Sequence, residues 1–380
     1  MRVEEYKNPI YSCLRCGFCF DHIEGSQERI CPSYVTYGME SYGARGKVTI
    51  ARALVDGVLE YDADVARRVF ACTECGACEE QCFKYLPLLE MYAAMKADLA
   101  ERDLVPPELS AAARAVETEG NPYGKPQRAR LDWAPGTARI GKTAPVLYFA
   151  GCTPSYVRRG IARAGYAVLE AAGADFGLLA DETCCGHPFA AAGRIEAAHA
   201  AAEGLVAAVE ASGARTVVFP CPGCLKTFRE EYPRLLGRPL GFHTLHVTEF
   251  LAERIAAGAL RLRKQSRIVA YHDPCTLGRG LGVYETPRRT IDAVPGAKRV
   301  ELRRTREASF CCGSGALVRF GYEPMSIENE GARWAEAAAT GADLVVSACP
   351  ACQIALLDAK RRVRSAIDVQ DVVEWVASAL

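Results

Sequence analysis

The placement of cysteine constrains this chain more than any other feature. Fifteen of the eighteen fall into short units. Cys13-x2-Cys16-x2-Cys19 is joined by Cys31 after eleven intervening residues, and Cys72-x2-Cys75-x2-Cys78-x3-Cys82 follows. Then come Cys152, Cys184-Cys185 and Cys221-x2-Cys224, and after them Cys275, Cys311-Cys312 and Cys349-x2-Cys352. Disulfide frameworks belong to small secreted domains with thin cores, whereas 380 residues, half of them apolar, can bury cores for two or three domains. Metal or redox chemistry is the better account of thiols in C-x2-C and C-C units.

Charge narrows the partners. Lys plus Arg and Asp plus Glu stand at 46 each, so nothing in the balance points to nucleic acid or to an anionic membrane surface. No apolar run reaches the roughly 18–20 residues of a membrane span, and Met1 to Ile10 lacks a signal-peptide core. The expectation is a cytoplasmic protein without a transmembrane segment of its own, held at most to the inner membrane face through a partner subunit.

Residues 1–105 read as short helices strung between cysteine loops, with Val48, Ala51, Leu54, Val55 and Val58, and then Leu88, Met91, Met95 and Leu99, at helical spacing for core packing. Residues 106–145 form a connector rich in breakers, among them Pro106-Pro107, Asn121-Pro122-Tyr123-Gly124 and Trp133-Ala134-Pro135-Gly136. A helix from Glu108 to Glu117 and docking of Tyr123 and Trp133 onto a domain would account for its length.

From Val146 the chain repeats itself. The first copy spaces its cysteine units by 31 and 35 residues, the second by 35 and 36. Val146-Leu147-Tyr148-Phe149 precedes Cys152 as Ile268-Val269-Ala270-Tyr271 precedes Cys275, and Val217-Val218-Phe219 precedes Cys221 as Leu344-Val345-Val346 precedes Cys349. A closing helix from Val247 to Ile255 matches one from Val369 to Ala377. Apolar runs alternate with amphipathic stretches such as Tyr156 to Ala172 and Arg194 to Ser212, a pattern of parallel α/β units. The fold class is therefore α+β and multidomain: a helical two-cluster ferredoxin-like domain, then two repeated α/β cysteine-rich lobes, 146–258 and 259–380. Cys152, Cys221, Cys275 and Cys349 fall just past strand ends, where open α/β sheets bind ligands.

The spacing of Cys72, Cys75, Cys78 and Cys82 is that of bacterial ferredoxins, in which three thiolates take corners of a 4Fe-4S cube. It suits one tetrahedral zinc badly, because zinc ribbons separate their two knuckles by a dozen or more residues. Cys13, Cys16 and Cys19 repeat the loop, with Gly17 matching Gly76. In two-cluster ferredoxins the fourth cysteine serves the other cluster. The expected sets are therefore Cys13, Cys16, Cys19 and Cys82 for one cube, and Cys72, Cys75, Cys78 and Cys31 for the other. The insertion from Phe20 to Ile30 reads as a solvated loop.

Each later repeat offers five thiols, one more than a cube needs, and adjacent cysteines chelate a single small ion awkwardly. Either one sulfur bridges two irons or the cluster is not a cube. Zinc on four of the five, in one lobe, is the rival reading.

Two ferredoxin loops followed by the doubled Cys-Cys-Gly motif resemble the D-type subunit of heterodisulfide reductases. Tyr271-His272-Asp273-Pro274-Cys275, Gly341-Ala342-Asp343-Leu344, Ala348-Cys349-Pro350-Ala351-Cys352 and Asn121-Pro122-Tyr123-Gly124 are similar to that family. The resemblance implies two cubane 4Fe-4S clusters and two non-cubane 4Fe-4S clusters, the latter acting on a small thiol or disulfide substrate. Carried over by position, Cys152, Cys184, Cys185, Cys221 and Cys224 hold one non-cubane cluster. Cys275, Cys311, Cys312, Cys349 and Cys352 hold the other, as the reaction centre. Partners implied are other redox subunits, a flavoprotein or a membrane cytochrome. The same architecture occurs in iron-sulfur relay subunits of glycolate, lactate and glycerol-3-phosphate dehydrogenases, which have no substrate of their own. The complete first repeat leans away from these.

His187, after Cys185-Gly186, and His272, three before Cys275, stand near enough in sequence to give a proton to a departing thiolate. His22, His199, His243 and His246 carry no motif. Arg45-Gly46-Lys47 is expected to face water.

Overall fold

The apolar runs that recur after Val146 become the middle strands of two four-stranded parallel sheets. The chain is described by a computed structural model over residues 1–20 and 29–380; most of the Phe20 to Ile30 insertion, His22 included, lies outside the described residues. In the first sheet β1 (Val146–Tyr148), β2 (Phe176–Gly177), β3 (Thr216–Phe219) and β4 (His243–His246) take the order β2-β1-β3-β4. In the second β5 (Arg267–His272), β6 (Ala297–Glu301), β7 (Leu344–Ser347) and β8 (Asp368–Asp371) take the order β6-β5-β7-β8. Leu147 pairs with Val217 in one and Tyr271 with Val346 in the other. These central strands are buried on both faces, which is why they read as unbroken apolar runs.

The winding reverses between β1 and β3, and again between β5 and β7. That leaves a crevice beyond the carboxyl ends of those strands. Helices Arg159–Ala171 and Ile195–Ala211 cover the first sheet, close to the spans expected, although the earlier one is broken from Cys152–Tyr156 at Val157-Arg158. Two expectations need correction. Val369 lies in β8, so the last helix is Val372–Ala377. Val58 lies beyond helix Ala44–Val55 and is three-quarters exposed.

Both closing helices begin with the same device. The His246 side chain accepts from the Thr248 amide and Glu249 accepts from the His246 amide, while Asp371 and Glu374 do the same for Val372–Ala377. Helix Val372–Ala377 packs on Arg159–Ala171 of the first lobe, and Val247–Ala256 packs on Glu285–Asp292 of the second. This exchange is reciprocal, so the duplicated lobes face one another across an approximate two-fold axis.

Helices Ala44–Val55 and Leu88–Ala100 carry the N-terminal core, with Val48, Ala51, Leu54, Met91, Met95 and Leu99 buried. The connector opens with helix Pro107–Glu119. Trp133 is buried edge-on against Tyr148 and Tyr166, and the Tyr123 hydroxyl lies 2.8 Å from Thr153 Oγ1. Both aromatics thus dock on the first lobe.

Candidate functional site

Two cysteine loops near the N-terminus fold alike. Arg15 and Gly17 have φ of +56° and +89°, and Glu74 and Gly76 have +52° and +74°. Such left-handed steps turn successive amides toward one point, a nest suited to an anion such as a thiolate-ligated cluster, and glycine holds the second step without strain. Cys13, Cys16, Cys19 and Cys82 line one small cavity, and Cys31, Cys72, Cys75 and Cys78 line another. Each loop therefore sends its fourth cysteine to the other set. All eighteen cysteines are free thiols.

Buried cations flank these sulfurs, and nothing in their sequence context singles them out. Lys47 is buried, contrary to the expectation that Arg45-Gly46-Lys47 faces water; its ammonium donates to the Tyr42 carbonyl and lies 3.4 Å from Ser33 Oγ and the Ala71 carbonyl. Lys96 is fully buried and pairs with Glu74 at 2.5 Å. Burial pushes the Cys72 thiol up, opposed by the charges of Lys47 and Lys96. The same burial, with the neighbouring thiols, drives Cys19 up to about 12. Holding metal requires these protons to leave, and a buried cation lowers that cost.

In the first lobe β1 leads into Cys152, β2 precedes Cys184-Cys185, and β3 leads into Cys221 and Cys224. The five thiols make one chain of contacts, from Cys152 to Cys184, Cys185, Cys224 and Cys221. Arg130 comes to them from the connector. Its Nη2 and Nη1 donate to Cys152 Sγ at 3.4 and 3.7 Å, and its Nε donates to the Glu182 carbonyl. The Glu182 carboxylate, 3.7 Å from the guanidinium, accepts from the Ala150 and Gly151 amides at 3.0 and 2.9 Å and so fixes the turn into Cys152.

The second lobe repeats the chain of thiols, from Cys275 to Cys311, Cys312, Cys352 and Cys349. Cys275 Sγ lies 3.9 Å from Cys311 Sγ, and Cys312 Sγ lies 3.3 Å from Cys352 Sγ. Here β5 ends on His272 where β1 is followed by Phe149. Arg333 Nε donates to His272 Nδ1 at 2.7 Å. A guanidinium only donates, so the neutral imidazole carries its proton on Nε2, which has no hydrogen-bond partner. His272, Cys312 and Cys352 bring donor atoms within 4.8 Å of one another, the one such trio among the described residues. With Nδ1 occupied and Nε2 protonated, the ring has no lone pair for a metal, and His272 stands beside the thiols with an N–H that can donate a hydrogen bond. Burial and Arg333 hold it below the usual histidine range. Asp273, next in sequence, is clamped by Arg288 at 2.7 and 2.8 Å and fixes the turn into Cys275.

Contacts link the sets. A hydrogen bond from Cys311, helped by the Arg279 charge, draws the Cys75 thiol down to about 5 against the cost of burial. Arg279 Nε also donates to the Cys75 carbonyl at 2.8 Å, and Gly315 packs so tightly that a Cβ there would collide with the Thr73 carbonyl oxygen. Across the lobe boundary Cys349 feels the charge of Cys221, and Arg158 Nε donates to Gln353 Oε1 at 2.8 Å. A chamber of about 580 Å³ opens on Cys75, Cys275, Arg279, His187, Lys226 and Glu231. His187 stands at its wall with Nδ1 4.0 Å from Glu231 Oε1, outside hydrogen-bond reach. His246 is the buried helix cap already described, and His199 and His243 are remote from the thiol chains.

Comparison with known proteins matches this arrangement. Residues 9–86 match the 4Fe-4S dicluster domain, and residues 146–229 and 269–357 each match the cysteine-rich domain known as CCG. Fold and cysteine sites together define an iron-sulfur oxidoreductase subunit that joins a ferredoxin-type domain to two cysteine-rich lobes. The chain belongs to the family of D-type heterodisulfide reductase subunits: it is 33% identical to the D-type subunit of the dihydromethanophenazine:CoB--CoM heterodisulfide reductase of Methanosarcina barkeri, over 97% of this chain and 93% of that one. It is 28% identical to the B-type subunit of the fumarate reductase (CoM/CoB) of Methanothermobacter marburgensis, over 94% and 70% of the two chains. A probable glycolate oxidase iron-sulfur subunit of Bacillus subtilis is 26% identical over 90% and 87%. Among solved structures, a hypothetical protein from Helicobacter pylori shares the fold, with a TM-score of 0.58 and 11% identity, covering 89% of this chain and 67% of that one. No helix among the described residues is long and apolar enough to cross a membrane.

Proposed function

We propose that this chain is the thiol/disulfide-active subunit of a redox complex, active only with partner redox subunits. Cys13, Cys16, Cys19 and Cys82 would hold one 4Fe-4S cube, and Cys31, Cys72, Cys75 and Cys78 the other. The two five-thiol chains, Cys152 to Cys224 and Cys275 to Cys352, would each hold a non-cubane 4Fe-4S cluster. The observation that carries the reading is the chamber: a relay needs no internal space, whereas about 580 Å³ beside Cys75 and Cys275 admits a small molecule. When bound, the clusters would supply the electrons for disulfide reduction, in which a disulfide takes two electrons and two protons and leaves as two thiols.

The chain's own residues orient the sulfurs and stabilise their charge. Arg333 holds the His272 N–H on Nε2 beside Cys312 and Cys352, where it would donate a hydrogen bond to a thiolate. Asp273 and Glu182 fix the turns that present Cys275 and Cys152. Partners supplying or accepting the electrons are a flavoprotein or a membrane cytochrome, the latter placing the chain at a membrane surface. A second reading, a relay for a flavin-linked dehydrogenase, draws support from the likeness to the glycolate oxidase iron-sulfur subunit.

Anaerobic titration of the oxidised holoprotein with mercaptoethanol and mercaptoacetate separates the two. A new paramagnetic signal from a cysteine-rich lobe, absent in Cys312→Ser with the cubes still reducible, supports the disulfide reading. Silence to every thiol and disulfide, with all clusters reduced quickly through a flavin dehydrogenase, leaves the relay.

A further inference from the structure

The two ferredoxin-type cysteine sets differ in what covers them. Cys31, Cys72, Cys75 and Cys78 lie beneath Lys47, Tyr92 and the second lobe, with Arg279 and the tight Thr73 to Gly315 contact sealing one side. In the other set Cys13, Cys19 and Cys82 are half-buried, and Cys16 is the one exposed cysteine of the eighteen. Around it the chain places large apolar side chains in water: Leu14 is 67% exposed and Phe83 66%. Phe83 meets Phe18 edge-on at 4.8 Å.

Charge at this face is one-sided. The cavity of Cys13, Cys16, Cys19 and Cys82 is lined by Arg15, Arg45 and Lys84 and by no carboxylate among the described residues, in a chain whose formal charges cancel. Arg45 is held by Glu40 and donates to the Arg15 carbonyl at 2.9 Å. Arg15 and Lys84 are exposed and have no ion-pair partner among the described residues. An apolar centre with a cationic rim is the anatomy of a transient protein interface, and its sign selects an acidic partner. Electron tunnelling falls steeply with distance, so a redox centre docked here would meet the chain at its most exposed thiol.

We propose that the face formed by Leu14, Arg15, Phe83 and Lys84 around Cys16 docks an acidic electron-carrier protein, and that electrons enter or leave the chain there. This rests on the reading that Cys13, Cys16, Cys19 and Cys82 hold a cube. The contact is transient, because the patch is small beside a permanent subunit interface.

The test is stopped-flow reduction of the holoprotein by a reduced plant-type 2Fe-2S ferredoxin, an acidic carrier, across ionic strength. The wild type should slow as salt rises. The double variant Arg15→Glu/Lys84→Glu should lose about tenfold or more in second-order rate constant at low salt and most of its salt dependence. Leu14→Ser should slow docking at every salt concentration. Reduction by photoreduced 5-deazariboflavin, a small neutral reductant, should slow far less than reduction by ferredoxin in every variant, and electron transfer to cytochrome c, a basic carrier, should speed up in the double variant. Unchanged ferredoxin rates and salt slope, with intact cube spectra, overturn the docking face and leave the cluster reading standing. If the wild type lacks the cube signal that Cys82→Ser should abolish, the cluster reading fails first.

Discussion

Arg130 is the perturbation that tests most directly how the connector serves the first lobe. Its guanidinium stands 3.4 Å from Cys152 Sγ, and at an effective dielectric of about 20 a full thiolate there would gain about 5 kcal/mol. One added electron spreads over the irons and all their ligands, so Cys152 feels about a quarter of it and the reduced state gains about 1 kcal/mol from Arg130. That corresponds to about 40 mV for a one-electron couple. Arg130→Gln should therefore lower the midpoint potential of the first-lobe cluster by about 40 mV, while the second-lobe cluster and the cubes stay within error.

Redox titration followed by paramagnetic resonance measures this directly. Arg130→Lys keeps the charge and should restore most of the potential, which a merely structural role would not predict. Loss of Arg130 also strands the Glu182 carboxylate, which burial already pushes up, so it takes a proton and adds little negative charge. Equal potentials in wild type, Arg130→Gln and Arg130→Lys, with the first cluster intact, would refute the reasoning.

Three further outcomes follow from the same geometry. Anaerobic analysis should find about sixteen irons per chain, for two cubes and two four-iron lobes; about eight, with zinc, would show that the lobes are not both cluster sites. Cys31→Ser should perturb the cube of Cys72, Cys75 and Cys78, and Cys82→Ser the cube of Cys13, Cys16 and Cys19, as seen in the two spectra separately. Gly315→Ala drives a methyl into the Thr73 carbonyl oxygen and should part the ferredoxin loop from the second lobe. Rapid-freeze spectra should then show both cubes reduced at the normal rate and the second-lobe cluster reduced at least several-fold more slowly.

Sequence made the middle of each sheet legible and hid the edges. β1, β3, β5 and β7 are buried on both faces and read as apolar runs, but β4 is His-Thr-Leu-His and β8 is Asp-Val-Gln-Asp, polar because each edge strand meets water at its start and ends on a buried helix-capping side chain. Those polar neighbours are why Val369 reads as the start of a helix. The cysteines were legible because cluster chelation demands fixed local spacing. Lys47, Lys96, Arg130, Arg279 and Arg333 were not, because each reaches its sulfurs through tertiary packing from a distant segment. A cation that will be buried beside a thiolate looks, in sequence, like one that will be solvated.

Those cations separate the two lobes that duplication made alike. Both copies place a Tyr late in the first strand, Tyr148 and Tyr271, and then differ: Phe149, packed on Phe219 and Phe228, in one and His272, beside Cys312, in the other. The first lobe sets a fixed charge, Arg130, directly on Cys152 and pairs it with Glu182 at that strand end, with no imidazole there. The second uses its buried arginine, Arg333, to hold a histidine proton, and that proton faces Cys312 and Cys352. One lobe thus sets a fixed charge on its first thiol, and the other a hydrogen-bond donor beside its middle ones. The exchanged closing helices hold the two face to face, with Cys221 and Cys349 nearest the boundary. Breaking a disulfide needs both electrons and protons at one place, and the chamber brings Cys275 of the second lobe together with His187 of the first, whose Nδ1 lies 4.0 Å from Glu231 Oε1.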